Sequence, residues 1–237
     1  MLFLLAILPT ADAFRISAHR VLTERAVEAE GLAGVGQWLW QGNRAEDTRL
    51  DIKWRQYSHY FRPGDPVTLQ RRSTSDARVE MLWEEAERAR AVGDEEAMWT
   101  AVGGVLHHIQ DMASPPHVVP IAHDLRDGFE SWPVNDLVQG LTLTAPQPLD
   151  PISAHTQLAL ETWECVQNDV VTGCGQTIPL SGIWQASPSG SFGDYGAREF
   201  GEAGECAALS AAFEDVLEER LSAAIHYSRA VLQYVSR

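Results

Sequence analysis

Apolar residues recur at the spacing of helix turns along most of this chain, interrupted by polar, Gly- and Pro-rich stretches. The clearest case is residues 207–235, where Leu209, Phe213, Val216, Leu217, Leu221, Ile225 and Leu232 fall on one side of a long amphipathic helix. Residues 101–112 repeat the pattern with Val102, Val105, Leu106, Ile109 and Met112. Further helices are predicted over 17–30, 68–94 and 153–167. In the second of these, Val79, Leu82 and Ala86 interleave with a solvated run of Glu84, Glu85, Glu87, Arg88 and Arg90. Gly93-Asp94 ends that helix and caps the next one. Residues 133–151 read as loop. Residues 173–204, rich in Gly, Ser and Pro and carrying Trp184, Phe192 and Tyr195, read as a long irregular loop overhanging a cleft. The expected fold is an all-α, single-domain helical bundle with long surface loops.

Composition narrows the function. A chain of 237 residues suits one well-buried domain, and no tandem repeat or internal linker is visible. A net charge of −15 argues against affinity drawn from a broad basic surface, although bound metal can invert the charge of a small cleft. Residues 1–13 have an apolar core, a helix breaker and then Ala11-Asp12-Ala13, the small-x-small pattern of a cleaved signal peptide. They are too short to cross a bilayer, and no other segment reads as transmembrane. The mature domain would then be 14–237, secreted or periplasmic. The other reading of this start is a buried apolar strand or helix. Three cysteines are too few for a disulfide scaffold; Cys165 and Cys174 bracket a short loop and are the pair expected in an exported chain, leaving Cys206 odd.

Residues 103–127 hold four histidines and three aspartates. His107 and Asp111, four apart, leave one helix face one turn apart, and His108 with Asp111 is also a possible pair. Pro115-Pro116 stops the helix just before His117. A second helical start carries His123 and Asp127, again four apart. One such pair is commonly a surface hydrogen bond, but two joined by Pro-Pro-His point to a metal. Ligation by His and Asp without Cys suits catalytic zinc better than structural zinc.

The run His107-x3-Asp111-x5-His117, followed by His123-x3-Asp127, resembles the core of the zinc-dependent phospholipase C and single-strand-specific nuclease superfamily. Those are all-helical enzymes with three zinc ions in one cleft. Cleavage after Ala13 would expose Phe14 five residues before His19, a spacing similar to the nuclease branch. There the terminal amine and carbonyl oxygen chelate zinc with that histidine; the family usually has tryptophan where Phe14 stands. Ser58-His59-Tyr60-Phe61-Arg62-Pro63 resembles the Ser-His-Phe-Tyr-Asp-Pro segment of the phospholipase branch, with the aromatics reversed and Arg62 replacing aspartate. It marks His59. The acidic partner before it is Asp47, with Glu46 and Asp51 within reach of the same alignment. Glu130, in a Phe-Glu pair like one found in part of the family, is the runner-up to Asp127, because the residue four before it is Arg126.

Carried over position by position, the resemblance implies a trinuclear zinc cleft. One site takes Asp47, His59, His107 and Asp111. A second takes His117, His123 and Asp127, with water in the open position. The third takes backbone atoms of Phe14 with His19 and Asp111, so that Asp111 bridges two ions. Three carboxylates against three zincs leave about +3 in the cleft, which suits a phosphodiester. Asp47 would orient or deprotonate the attacking water. The implied activity is phosphodiester hydrolysis. Phospholipase C-type cleavage of phospholipid, with transient membrane-surface contact, stands ahead of single-stranded nucleic acid as substrate. A zinc-binding protein without turnover is a further alternative. His155 reads as an ordinary surface residue and His226 as structural.

Overall fold

The computed structural model describes residues 16–49, 59–64, 74–121, 127–188 and 191–237. Among them are eight α-helices: α1 (Ile16–Ala29), α2 (Gly36–Thr48), α3 (Ser75–Val92), α4 (Glu95–Asp111), α5 (Pro115–Val118), α6 (Asn135–Gly140), α7 (Pro151–Asn168) and α8 (Ala207–Val235). The chain from 101 to 121 is buried without a break, so α4 is the axis of the molecule. It is covered most extensively by α2 and α3, with α1, α7 and α8 completing the shell. The apolar stripe read from the sequence is part of a helix buried on every side. Asp94 starts that helix, its carboxylate accepting from Ala97 N at 3.0 Å.

Helices α2 and α4 cross with their backbones in contact. A Cβ on Gly42 would lie 1.7 Å from Thr100 O, and one on Gly103 would lie 2.0 Å from Leu39 O. Only residues without a side chain fit this crossing. The close approach brings Glu46 and Asp47, in the last turn of α2, opposite His107 and His108 of α4. Glu46-Asp47-Thr48, which in isolation reads as a polar loop, is therefore helical. After α4, Pro115 opens the single turn of α5 and places His117 on it.

The region expected to be one irregular loop, together with the three residues before it, contains two small antiparallel sheets on a mainly α-helical fold. Strand β1 (Val170–Gly173) pairs with β2 (Gln176–Pro179), and β3 (Trp184–Gln185) with β4 (Asp194–Tyr195). The first pair turns at Cys174-Gly175, both with positive φ (48° and 74°), the two-residue connection that suits a tight hairpin. Its first strand rests on α8. That contact corrects the expected cysteine pairing: Cys174 at the hairpin tip is bonded to Cys206, which caps α8, and Cys165 is a buried free thiol on α7. Residues 133–151 likewise include the short helix α6. Arg229 of α8 clamps the far end, donating to Glu30 at 2.6 Å and to the Thr144 carbonyl at 2.7 Å. Among the described residues no helix is long and apolar enough to cross a membrane.

Candidate metal centre

Asp111 ends α4 fully buried, and imidazoles from four segments converge on it. His19 Nε2 of α1 lies 3.2 Å from its Oδ1. Around Oδ2 lie His59 Nδ1 at 2.8 Å, His107 Nε2 at 3.4 Å and His117 Nδ1 at 3.9 Å. His107 Nε2 also faces Asp47 Oδ1 at 3.7 Å and His59 Nδ1 at 3.2 Å. Ligand atoms of His59, His107 and Asp111 lie within 4.8 Å of one another, as do those of His19, Asp47 and His107. Of the four side chains expected at one site, His59, His107 and Asp111 form one such group, while Asp47 shares His107 with His19 in the other.

Two properties test whether these residues suit a metal ion. In a tetrahedral zinc site with bonds of about 2.0–2.1 Å, neighbouring ligand atoms lie about 3.3 Å apart. The separations of 2.8, 3.2, 3.4 and 3.7 Å among these four residues bracket that edge. The donor set is the second: imidazole nitrogens and carboxylate oxygens with no sulfur, buried where a cation would offset the cost of an ionised Asp111. The buried His/Asp groups could therefore hold a metal ion.

The electrostatics of the protein alone point the same way. Burial would raise the Asp111 pKa, but the charges of His107 and His117, with bonds from His107 and His19, hold it well below the usual range. Burial opposes protonation of His59, yet Asp111, Asp47 and Glu46 push it up to about 9. His19 is likewise raised against burial by Asp111. His107 goes the other way, lowered well below 6.5 by burial and, despite Asp111, by the neighbouring His19 and His59. The centre concentrates one carboxylate charge among rings that cannot all be protonated.

His108, whose Nδ1 lies 4.0 Å from Asp111 Oδ2, makes its hydrogen bonds to other partners. Its Nε2 lies 3.1 Å from Glu46 Oε2, while Arg78 of α3 grips the same carboxylate at 2.8 and 2.9 Å. Its Nδ1 lies 3.2 Å from Ser75 Oγ, which also meets His155 Nε2 at 2.9 Å. Glu46 is therefore engaged away from the centre and Asp47 toward it. His155, expected at the surface, is 1 % exposed. Burial, then the charge of His108, lowers its pKa to about 3. A cavity of about 430 Å³ between α2, α3 and α4 opens on Glu46 and Arg78, and none of His19, His59, His107, Asp111 and His117 lines it.

At the other edge, His117 Nδ1 donates to the His59 carbonyl at 2.8 Å and turns Nε2 toward Glu130 Oε1 at 3.0 Å. Ser114 donates to the same Glu130 oxygen at 2.8 Å. Asp127, expected on a second helical start, instead begins a turn. Its Oδ1 accepts from the Phe129 and Glu130 amides at 2.9 and 3.0 Å, its Oδ2 accepts from Trp184 Nε1 at 3.2 Å, and the Tyr195 hydroxyl also bonds it. Burial, then Glu130, raises its pKa. Phe14, Asp51 and His123 lie outside the described residues. The reading by residue spacing missed the polar side chains behind the centre, among them Gln110, Asn43, Ser75 and His155; their one signal is that several fall on otherwise apolar helix faces. What fold and site define together is a mainly α-helical protein with a buried His/Asp cluster able to hold a metal ion. No protein-family model matches this chain, and no curated protein matches it.

Proposed function

We propose that this protein is a zinc-dependent hydrolase of phosphodiesters, acting in the manner of a phospholipase C. The observation that carries the reading is the convergence of His59, His107 and Asp111 at the edge lengths of a zinc coordination shell, with Asp47 3.7 Å from the shared His107. Their resemblance in order and spacing to the zinc phospholipase C and nuclease superfamily adds the reaction class. His19 with Asp111, and His117 with Glu130, extend the cluster on either side; Glu130 takes the role that spacing gave to Asp127, whose carboxylate is already held by four donors. Phe14 and His123 complete the proposed ligand set.

When bound, zinc supplies positive charge for an anionic substrate and makes water nucleophilic near neutral pH, with its pKa lowered from 15.7 to about 7. The chain's own residues supply orientation and proton handling. Asp47 is 7 % exposed where Asp111 is fully buried, so it is the carboxylate of the first site that solvent can reach. The oxygen of its carboxylate not taken up by the ion would orient the attacking water and accept its proton. Asp111, shielded from water, holds three imidazoles in place. Tyr60, stacked on His117 at 5.3 Å with Phe192 against its edge at 5.4 Å, gives the centre an aromatic wall. The Cys174–Cys206 disulfide supports export to an oxidising compartment.

The test is elemental analysis of the purified mature chain combined with two substrates. Zinc together with diacylglycerol release from phosphatidylcholine is expected. Zinc with cleavage of single-stranded DNA instead would move the protein to the nuclease branch. Zinc without hydrolysis of either would leave a binding protein, and absence of bound metal would remove the proposal.

A further inference from the structure

Behind His19, on the side away from Asp111, polar side chains from three helices form a closed network: Thr23 of α1, Asn43 of α2 and Gln110 of α4. None is more than 1 % exposed. Gln110 Oε1 lies 2.8 Å from His19 Nδ1 and 3.1 Å from Asn43 Nδ2. Thr23 Oγ1 lies 3.2 Å from Asn43 Nδ2 and 3.1 Å from Gln110 Nε2.

Counting protons gives the direction of these bonds. A threonine hydroxyl has one proton and two acceptor lone pairs. Both amides meet Thr23, so it can accept from both NH2 groups. With both amides turned over it would have to donate twice. With one turned over, nitrogen faces nitrogen or oxygen faces oxygen between Asn43 and Gln110. One self-consistent arrangement remains, and in it Gln110 offers His19 only an acceptor. With a cation held between Nε2 and Asp111 Oδ1, 3.2 Å apart, His19 Nδ1 therefore carries the ring's proton and donates it to Gln110 Oε1; without a cation Asp111 is itself an acceptor for a proton on Nε2.

We propose that Gln110, locked by Thr23 and Asn43, is a positioning residue that selects Nε2 of His19 as the metal-ligating nitrogen. The ligand role and the tautomer rest on the metal reading above; the orientation of the Gln110 amide does not. A histidine left free to exchange tautomers would present a lone pair to the centre only part of the time, and its ring would turn about its own axis. Groups that fix a ligating imidazole in this way are worth 10–100-fold in metal affinity.

The experiment compares wild type with Gln110→Glu, which keeps an acceptor facing His19, and Gln110→Met, which keeps the length and removes it. Nitrogen-15 spectra of the zinc-loaded, full mature chain show which His19 nitrogen is protonated. Zinc affinity follows from competition with a chromophoric chelator, and urea unfolding of the metal-free proteins reports stability. Wild type and Gln110→Glu are expected to show Nδ1–H and to bind zinc alike. Gln110→Met is expected to lose the tautomer preference and to bind 10–100-fold more weakly. Wild-type His19 protonated on Nε2, or Gln110→Met binding as tightly as wild type despite lowered stability, would overturn the proposal. Wild type with no affinity for zinc would overturn the metal reading and the ligand role and tautomer with it, while the orientation of the Gln110 amide would stand.

Discussion

Gly103 sits in the middle of α4, where alanine is ordinarily better than glycine by about 1 kcal/mol. Propensity alone therefore predicts that Gly103→Ala stabilises the protein. The crossing with α2 predicts the reverse. The new Cβ would lie 2.0 Å from Leu39 O and 2.9 Å from Leu39 Cα, both backbone atoms that cannot swing aside, where contacts below 3.0 Å do not persist. Helix α2 would have to withdraw by about 1 Å. It carries Asn43, bonded to Gln110 at 3.1 Å, and Glu46, paired with His108 at 3.1 Å. An added ångström takes both beyond hydrogen-bonding reach. Overpacking costs about 1–3 kcal/mol and a stranded buried polar group about 1–3 kcal/mol, so after the propensity gain the variant should be less stable by about 1–5 kcal/mol. Urea unfolding followed by circular dichroism measures this as a lower midpoint at unchanged slope. Gly34→Ala is the control, since nothing lies within 4 Å of its new Cβ and no change beyond about 0.5 kcal/mol is expected. A Gly103→Ala protein as stable as wild type would refute the reasoning and with it the contact that sets Asp47 against His107.

Three other outcomes follow from the same geometry. Asp111→Asn keeps the shape but removes the charge on which His19, His59 and His107 converge, so bound zinc and hydrolysis should each fall by at least about 100-fold; full metal content with full turnover would discard the assignment. Reduction of Cys174–Cys206, which are 32 residues apart, should lower stability by about 3–4 kcal/mol, and peptide mapping without reductant should find that pair linked and Cys165 free. His155 has its pKa depressed from 6.5 to about 3 by burial, so its contribution to stability is complete above pH 6.5 and is lost as pH falls toward 3. At pH 5 the loss is about 2 kcal/mol, and His155→Phe should flatten the urea midpoint of the metal-free protein across that window; identical pH slopes for the two proteins would contradict the burial argument.

How far the sequence could be read depended on the distance between partners. The His107–Asp111 pair shows as a spacing because its members are one turn apart on a single helix. The bounds of α8 show because its apolar side never lapses over 29 residues. Helix α4, by contrast, begins at Glu95, ahead of the apolar repeat that opens at 101, so its start shows through the Asp94 cap and not through periodicity. The convergence of His59 on Asp111 and of Asp47 on His107 has no periodic signature at all; it could be anticipated only through a resemblance. The same holds for Cys174 and Cys206, brought together by a hairpin lying on α8, and for Thr23, Asn43 and Gln110, which come from three different helices. What such residues do share is a local contradiction. Gln110 stands between Ile109 and Asp111 on a helix buried on all sides, where an unsatisfied amide costs about 1–3 kcal/mol. A polar side chain in that setting requires a partner even when the sequence does not name it, and here that requirement leads through Gln110 to the nitrogen of His19 that faces Asp111.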